Sequence, residues 1–361
     1  MKKVRIITIV DPNPNYGNRL QNYATQCVLN RMGYSVETVS FEKPLYSKRF
    51  LMRKWVHMFT KYKLTNNSFF WKYGTVKYKN FQFFNKKYLN LYHSRNIKKI
   101  SIGADYFVVG SDQVWNPQWY DSDDLKREVF LLTFTESEKK VCFSPSFGVE
   151  KLPSEWKEYF KKYLSDIKNI SVREEAGAKI VKELTGKDAS VLIDPTLMLS
   201  KEEWLEIAEM PENIDCDDKY ILTYFLGEKS DRVKEKINDL QEQGYTVYNL
   251  NDKSRPEVYV LNPSNFVYMF ANAKLILTDS FHACVFSFIF DKPFLVYNRK
   301  GLYANMMSRM ETLLEKFDIE RKYIDSGLEN DLFESNYENG KRQLKIEQKK
   351  VYDFLKMSFD K

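Results

Sequence analysis

The polar side chains of residues 278–282 (TDSFH) are the group in this sequence best placed to do chemistry. An apolar run over residues 274–277 predicts a buried parallel strand before them, and a second run over residues 281–290 predicts a buried helix. At such a junction, free N–H groups and the helix dipole favour a bound anion. His282 is placed there to contact a phosphate or carboxylate and to move a proton. The alternative is that Ser280 is only an N-cap and His282 a packed ring.

Three further polar clusters follow predicted strands and are expected to face the same cleft. They lie at residues 16–19 (YGNR), 110–113 (GSDQ) and 171–174 (SVRE). Arg173 can bind a carboxylate or phosphate through two parallel hydrogen bonds, because its guanidinium is a planar fork. The alternative is a surface salt bridge with Glu174 or Glu175. These residue types together indicate a site for a small anion.

Two of the three aspartates in these motifs, Asp112 and Asp279, are candidates for the acid–base chemistry of this site. Asp112 follows a Gly-Ser turn and can act as a base or orient a hydroxyl, unless it only caps an Asx turn. Asp279 can orient His282 or cap its helix. Asp194 precedes a proline and is interpreted as a turn former rather than a catalyst.

Several common catalytic and cofactor motifs are absent from the sequence. It contains neither G-x-G-x-x-G nor the P-loop pattern, which argues against dinucleotide and nucleoside-triphosphate sites. It also lacks H-E-x-x-H and G-x-S-x-G, and its three histidines lie far apart, which argues against a zinc site and a serine hydrolase. We therefore predict no cofactor and no metal.

The composition is that of an ordinary globular protein with reduced thiols. The chain has 361 residues, of which 43% are hydrophobic and 29% are charged, enough for two domains. The four cysteines are scattered without a C-x-x-C pair, which favours a cytoplasmic location. No apolar run approaches the ~20 residues that span a bilayer.

Positive charge is concentrated in one stretch, residues 43–104, which we call the basic stretch. It contains 15 lysines and arginines, no acidic residue and many aromatic side chains. This composition predicts contact with an anionic membrane surface or another anionic partner. The alternative is a pair of surface helices whose lysines cover an aromatic core. No nucleic-acid-binding signature accompanies it, so nucleic acid is not expected as a partner.

Strands and helices alternate along the chain, which predicts an α/β fold. The first cycle has predicted strands at residues 4–10, 36–41, 105–110, 129–134, 140–144, 170–173 and 191–193, with helices from residue 18, over 156–167 and up to 182. The second has predicted strands at 219–226, 245–249, 274–278 and 294–297, with helices at 231–243, 263–272 and 281–290.

We therefore predict two Rossmann-like domains with parallel sheets that face a cleft. The predicted boundaries are residues 1–195 for the first domain, 196–218 for a linker and 219–335 for the second domain, with a solvated charged helix at 336–361. A cleft between two such domains is a common ligand site.

Six motifs in one order resemble the polysaccharide pyruvyl transferase family. They are residues 15–24 (NYGNRLQNYA), 110–116 (GSDQVWN), 171–174 (SVRE), 194–196 (DPT), 278–282 (TDSFH) and 308–309 (SR). The resemblance implies facing domains similar to those of GT-B glycosyltransferases. It also implies phosphoenolpyruvate as donor and a sugar diol as acceptor, the sugar being carried on a lipid-linked oligosaccharide. The basic stretch would then touch the inner face of the membrane.

The resemblance also assigns roles to residues. The family's donor-pocket Arg and His correspond to Arg173 and His282, and a first-domain Asp corresponds to Asp112. Relatives often carry Arg-Leu-His where this chain has Ser-Phe-His at 280–282. Arg299 or Arg309 would replace that guanidinium, or Ser280 and the helix N-terminus would hold the phosphate.

The set of predicted site residues is completed from the same motifs. His282, Asp112 and Asp279 are the catalytic candidates, and the substrate-binding candidates are Arg173, Ser280, Arg309, Arg299, Asn18, Arg19, Gln21, Ser111 and Gln113. Two other functions remain open: a sugar-nucleotide glycosyltransferase of the same architecture, and a non-catalytic sugar-binding subunit of a capsule assembly complex.

Overall fold

Two parallel β-sheets flanked by helices organise the chain, so the predicted α/β class is confirmed. The structure is a computed structural model that describes residues 1–10, 14–41, 70–120, 124–216, 220–298, 308–319 and 332–359. We call the part before residue 195 the first half and the part after it the second half. The exact domain boundaries stay a prediction.

The first sheet has five parallel strands. They are Lys3–Ile7 (β1), Ser35–Ser40 (β2), Leu91–His93 (β3), Tyr106–Val109 (β4) and Lys140–Cys142 (β5), in the order β3-β2-β1-β4-β5. A separate parallel pair joins Ser171–Val172 (β6) to Ser190–Val191 (β7). The central strand β1 has a neighbour on each edge, and its last four residues are buried, including Arg5.

Helices connect these strands. They are Tyr16–Arg31 (α1), Thr75–Tyr88 (α2), Ile97–Ser101 (α3), Asp124–Phe130 (α4), Ser154–Leu164 (α5) and Glu175–Thr185 (α6), with a π-helical turn at Phe70–Gly74 and 3₁₀ turns at Pro117–Trp119 and Ser137–Lys139. Helix α1 begins where it does because the Asn15 side chain accepts a hydrogen bond from the Asn18 backbone N–H at 3.1 Å. This cap satisfies one of the donors that a helix N-terminus leaves unpaired.

The second sheet has four parallel strands. They are Tyr220–Tyr224 (β8), Thr246–Asn249 (β9), Leu275–Thr278 (β10) and Phe294–Val296 (β11), in the order β11-β10-β8-β9. The remaining helices are Lys201–Leu205 (α7), Asp231–Glu242 (α8), Pro256–Tyr259 (α9), Pro263–Asn272 (α10), Phe281–Ile289 (α11), Ser308–Lys316 (α12) and Glu338–Phe359 (α13), with a 3₁₀ turn at Pro195–Met198. Helix α11 is buried along its whole length, as its apolar sequence predicts.

The first turn of α1 packs against the second half. The Tyr16 hydroxyl donates to the Leu261 carbonyl at 3.0 Å, and the Tyr16 ring stacks on Phe266 with centroids 4.8 Å apart. Asn80 on α2 donates to the Val260 carbonyl at 2.7 Å. The two halves therefore meet at the α1 N-terminus, where the predicted site lies.

Three expectations from the sequence need correction. The apolar run at 129–134, predicted as a strand, is the end of α4 and a turn, because short apolar runs do not distinguish strands from buried helix ends. A strand not predicted, β3, pairs with β2. The tail helix exists, but it buries Val351, Leu355 and Phe359, so only one of its faces is solvated.

Candidate active site

His282 lies in the first turn of α11 and is 8% exposed. Its ring lies directly against the first turn of α1, since a Cβ added to Gly17 would lie only 2.1 Å from His282 Nδ1. Only glycine permits this approach. Among the described residues no group hydrogen-bonds to His282 Nε2, which lies 3.7 Å from a carboxylate oxygen of Asp194. The imidazole is thus held against α1 with Nε2 left without a hydrogen bond from any described residue, and its catalytic role stays a prediction.

Asp194 is the centre of the site. Its carboxylate accepts hydrogen bonds from Arg173 Nη1 at 2.6 Å and from Ser111 Oγ at 3.0 Å, and from the Thr196 N–H at 3.0 Å. Burial alone would raise the pKa of Asp194, but His282, Arg173 and the Thr196 N–H outweigh it and hold the pKa well below its usual range. Asp194 is therefore a buried anion that neutralises the cations around it.

Arg173 follows β6 and is buried. Its Nη1 bonds to Asp194 and its Nη2 lies 3.5 Å from Asp112 Oδ1, so the alternative of a surface pair with Glu174 or Glu175 does not describe it. Its Nε has no hydrogen-bond partner in the described part of the chain. Glu174 instead accepts hydrogen bonds from the backbone N–H of Phe147 at 2.9 Å and from nearby groups.

Asp112 is held on a tight turn after β4. It has a φ of 70°, in the left-handed region that Asp tolerates better than most residues. Its Oδ1 accepts from the Gln113 N–H at 2.8 Å, and its Oδ2 accepts from the Asn18 side-chain amide. The Ser111 hydroxyl on the same turn donates to Asp194, so this turn brings Ser111, Asp112 and Asn18 to the site.

Arg309, at the start of α12, reaches the same cluster. With the Gln113 amide oxygen turned toward it, both terminal nitrogens of Arg309 donate to that oxygen, at 2.8 and 2.7 Å. The Phe281 ring has Arg309 Cζ at 6.0 Å and Arg173 Cζ at 4.6 Å from its centroid. Two guanidinium groups therefore lie near one aromatic ring next to His282, and the role of Arg309 in substrate binding stays a prediction.

Asp279 and Ser280 lie beside His282 with different surroundings. The two carboxylate oxygens of Asp279 accept hydrogen bonds from the backbone N–H groups of Leu226 at 2.7 Å and Gly227 at 2.8 Å. Asp279 thus anchors the loop after β8, and its catalytic role stays a prediction. Ser280 is the N-cap residue of α11, but its side chain makes no capping hydrogen bond.

The remaining predicted residues lie near the site or outside the described chain. Gln21 Nε2 donates to Thr8 Oγ1 at 2.8 Å, and Arg19 is buried with its Cζ 5.8 Å from the centroid of the Phe81 ring. Arg299 lies outside the described residues. Whether any of these side chains contacts a substrate stays a prediction.

Two features of the described residues concern cofactors and membranes. They include no group of three His, Cys, Asp or Glu side chains that could hold a metal ion. None of their helices combines the length and the hydropathy needed to cross a bilayer.

The sequence reasoning missed three contributors to this site. Asp194 was interpreted as a turn former, and it does cap the turn through Thr196, but its other oxygen binds Arg173. The signal was available, because Asp194 follows β7 as Arg173 follows β6. Phe281 and Gly17 were not singled out, since ring contacts between distant elements leave no local pattern.

Chemically, the site combines two buried carboxylates with two guanidinium groups and an imidazole. The carboxylates are Asp112 and Asp194, and the cations are Arg173 and Arg309. Such a set can bind an anion while a neighbouring group transfers a proton.

Comparison with solved structures gives alignments over nearly the full chain at low identity. A glycosyltransferase from Rickettsia africae ESF-5 is 12% identical, covers 99% of each chain and has a TM-score of 0.46. A UDP-N-acetylglucosamine 2-epimerase from Rickettsia bellii is 11% identical over 100% of this chain and 97% of that one, with a TM-score of 0.45. The UDP-GlcNAc 2-epimerase from Neisseria meningitidis bound to UDP-GlcNAc is 11% identical over 98% and 99%, with a TM-score of 0.42.

Sequence comparison is more specific. No curated protein matches the chain. The family model for polysaccharide pyruvyl transferase matches residues 15–301, which include every strand except β1 and the site residues Asp112, Arg173, Asp194 and His282. The chain therefore belongs to the polysaccharide pyruvyl transferase family.

Proposed function

We propose that this protein transfers the pyruvyl group of phosphoenolpyruvate to two hydroxyls of a sugar in a lipid-linked glycan. The products are a pyruvate ketal and inorganic phosphate. The observation that carries the proposal is the position of His282, whose unused Nε2 lies 3.7 Å from the buried Asp194 carboxylate. Membership in the pyruvyl transferase family supports the reaction class.

The chemistry requires a proton and two hydroxyl attacks. His282 delivers a proton to the methylene carbon of the enol phosphate, and the first hydroxyl oxygen bonds to the central carbon. The proton of that hydroxyl returns to a base, for which Asp112 is the candidate. The oxygen of the second hydroxyl then bonds to the same central carbon. At the same time the bond between that carbon and the phosphate's bridging oxygen breaks, and the proton of the second hydroxyl leaves with the phosphate.

In this proposal the cations of the site bind the donor, phosphoenolpyruvate. The carboxylate and phosphate of phosphoenolpyruvate are both anionic, and Arg173 and Arg309 both lie near the Phe281 ring next to His282. Asp194 compensates the charge of Arg173, and its own pKa is held well below its usual range, so it stays an anion beside His282.

The proposal that the acceptor is lipid-linked depends on the composition of the basic stretch. Its first part, residues 43–69, lies outside the described residues, while α2 and β3 follow within the first half. A cytoplasmic protein that binds the inner membrane surface reversibly would meet such an acceptor there. Sedimentation with vesicles tests this: binding should rise with anionic lipid and fall with salt, and no binding at low salt would reject it.

The direct test of the function is mass spectrometry of lipid-linked oligosaccharides incubated with purified protein and phosphoenolpyruvate. We expect a product heavier by one pyruvate ketal and an equal amount of released phosphate. Parallel incubation with a uridine-diphosphate sugar is the control. A product that needs the sugar nucleotide and contains no pyruvate would contradict the proposal and indicate a glycosyltransferase.

A further inference from the structure

Lys77 is a buried lysine that the proposed reaction does not use. It lies on α2, within the basic stretch, and is 4% exposed. Most lysines keep the ammonium in water, because burying a charge costs free energy unless the charge is paired. The buried ammonium of Lys77 is therefore expected to have an interaction partner.

The surroundings of Lys77 are aromatic. Its Nζ lies 4.4 Å from the centroid of the Tyr259 ring and 5.1 Å from that of the Tyr16 ring. In the described part of the chain no carboxylate lies within 4.0 Å of this Nζ and it makes no hydrogen bond. Burial lowers the pKa of Lys77 to about 8, because the charged form is disfavoured away from water.

Another buried lysine, Lys140, has the ion-pair partner that a buried ammonium usually has. Lys140 on β5 is also 4% exposed, and its Nζ bonds to Asp166 at 2.5 Å. Cation–π contacts such as those of Lys77 are worth less than the full desolvation of an ammonium group. Lys77 therefore carries a charge whose natural partner, an anion, is not supplied by the described chain.

Lys77 lies at the junction of the two halves. Tyr16 belongs to the first turn of α1 and Tyr259 to α9 of the second half, so the ammonium lies between rings from both. The residue after Tyr16 is Gly17, which contacts His282. An anion bound by Lys77 would therefore lie beside Tyr16, and the next residue of α1 contacts the candidate active site.

We propose that the Lys77 ammonium, between Tyr16 and Tyr259, binds a phosphate group and forms an anion subsite separate from the Arg173 cluster. The chemistry is that of a compact ammonium with three donors, which binds phosphate as a point charge. Two sources supply such a group: the diphosphate of a lipid-linked acceptor, or free phosphate. Assignment to the acceptor rests on the proposed function, whereas anion binding itself does not.

The test is calorimetric titration of the full chain with inorganic diphosphate. Lys77→Met removes the charge with little change of shape. Lys79→Met is the matched control, because Lys79 is an exposed lysine on the same helix and its loss changes the net charge equally. We expect the affinity for diphosphate to fall by about ten- to a hundred-fold in Lys77→Met, as for a lost charged hydrogen bond, and to be unchanged in Lys79→Met.

Three comparisons separate the possible outcomes. Phosphoenolpyruvate affinity should survive in Lys77→Met, and inorganic phosphate should bind more weakly than diphosphate if the acceptor's diphosphate is the source. Equal affinity for the two would assign the subsite to free phosphate instead. No diphosphate binding by the wild type, equal affinity in Lys77→Met, or equal losses in both lysine variants would overturn the proposal. These titrations do not measure pyruvyl transfer. If the transfer assay failed, the diphosphate titrations would therefore still test the anion subsite.

Discussion

Two buried cations, Arg173 and Lys77, have different surroundings in this fold. Arg173 is bonded to Asp194 at 2.6 Å and lies 3.5 Å from Asp112. Lys77 faces two tyrosine rings, and no carboxylate in the described chain is within ion-pair distance. The comparison teaches that one cation belongs to a preorganised network, while the other has binding capacity left for a ligand.

The largest expected effect on stability comes from removing the closer counter-ion of Arg173, which makes the surroundings of this cation more like those of Lys77. Asp194→Asn removes the charge that compensates Arg173 and leaves the guanidinium buried with only the longer contact to Asp112. We expect the free energy of unfolding to fall by about 3 kcal/mol or more, as for a broken buried ion pair. Urea unfolding at pH 7 measures this, and a loss below about 1 kcal/mol would show that Asp194 is not the centre of the network.

The pH dependence of the same variant has a definite sign. The folded pKa of Asp194 is lowered, so its contribution is complete above the unfolded pKa of about 4 and is lost as the pH falls toward the folded pKa. The difference between wild type and Asp194→Asn should therefore be constant near neutral pH and shrink below about pH 4. A difference that grows on acidification would contradict the assignment.

The opposite change applies to Lys77. Lys77→Met removes an uncompensated charge, so we expect unfolding at pH 7 to cost on the order of 1–3 kcal/mol more than in the wild type. Because the folded pKa is lowered to about 8, wild-type stability should rise between pH 8 and about 10.4, and this rise should be absent from the variant. Lys140→Met, which breaks a pair with Asp166, should instead destabilise the protein.

A smaller effect is expected from Arg173→Lys, which keeps the charge but loses the planar fork. One ammonium cannot bond to Asp194 and also approach Asp112 as the guanidinium does. We expect phosphoenolpyruvate affinity to fall by about tenfold, measured by calorimetry. Diphosphate affinity should not change, and a parallel loss would show that the two cations share one site.

Local pattern predicted much of the fold. Helix α10 was predicted at residues 263–272, its observed bounds, because Pro263, its Asn262 cap and its apolar spacing act within the segment. The strand predicted at 129–134 is wrong, because the segment is the end of α4 followed by a turn. An apolar run this short is compatible with a strand and with a buried helix end, so the local pattern does not decide between them.

The site was predictable where strand ends place side chains and not where distant elements meet. Strand-end logic identified His282, Arg173 and Asp112, which the structure brings into one cluster with Asp194. The positions of the strand ends do not predict the contact between Gly17 and His282, or the position of Lys77 between two tyrosine rings. Those contacts depend on how the two halves pack, which a single sequence does not state.

The central claim is that His282 carries the proton in pyruvyl transfer. The most direct measurement is turnover of His282→Ala, with His93→Ala as control, because His93 is exposed on β3. We predict that turnover falls by ~10²–10⁴ in His282→Ala, with phosphoenolpyruvate still bound and the melting temperature nearly unchanged, and stays normal in His93→Ala. Near-normal turnover of a folded His282→Ala protein would contradict the account.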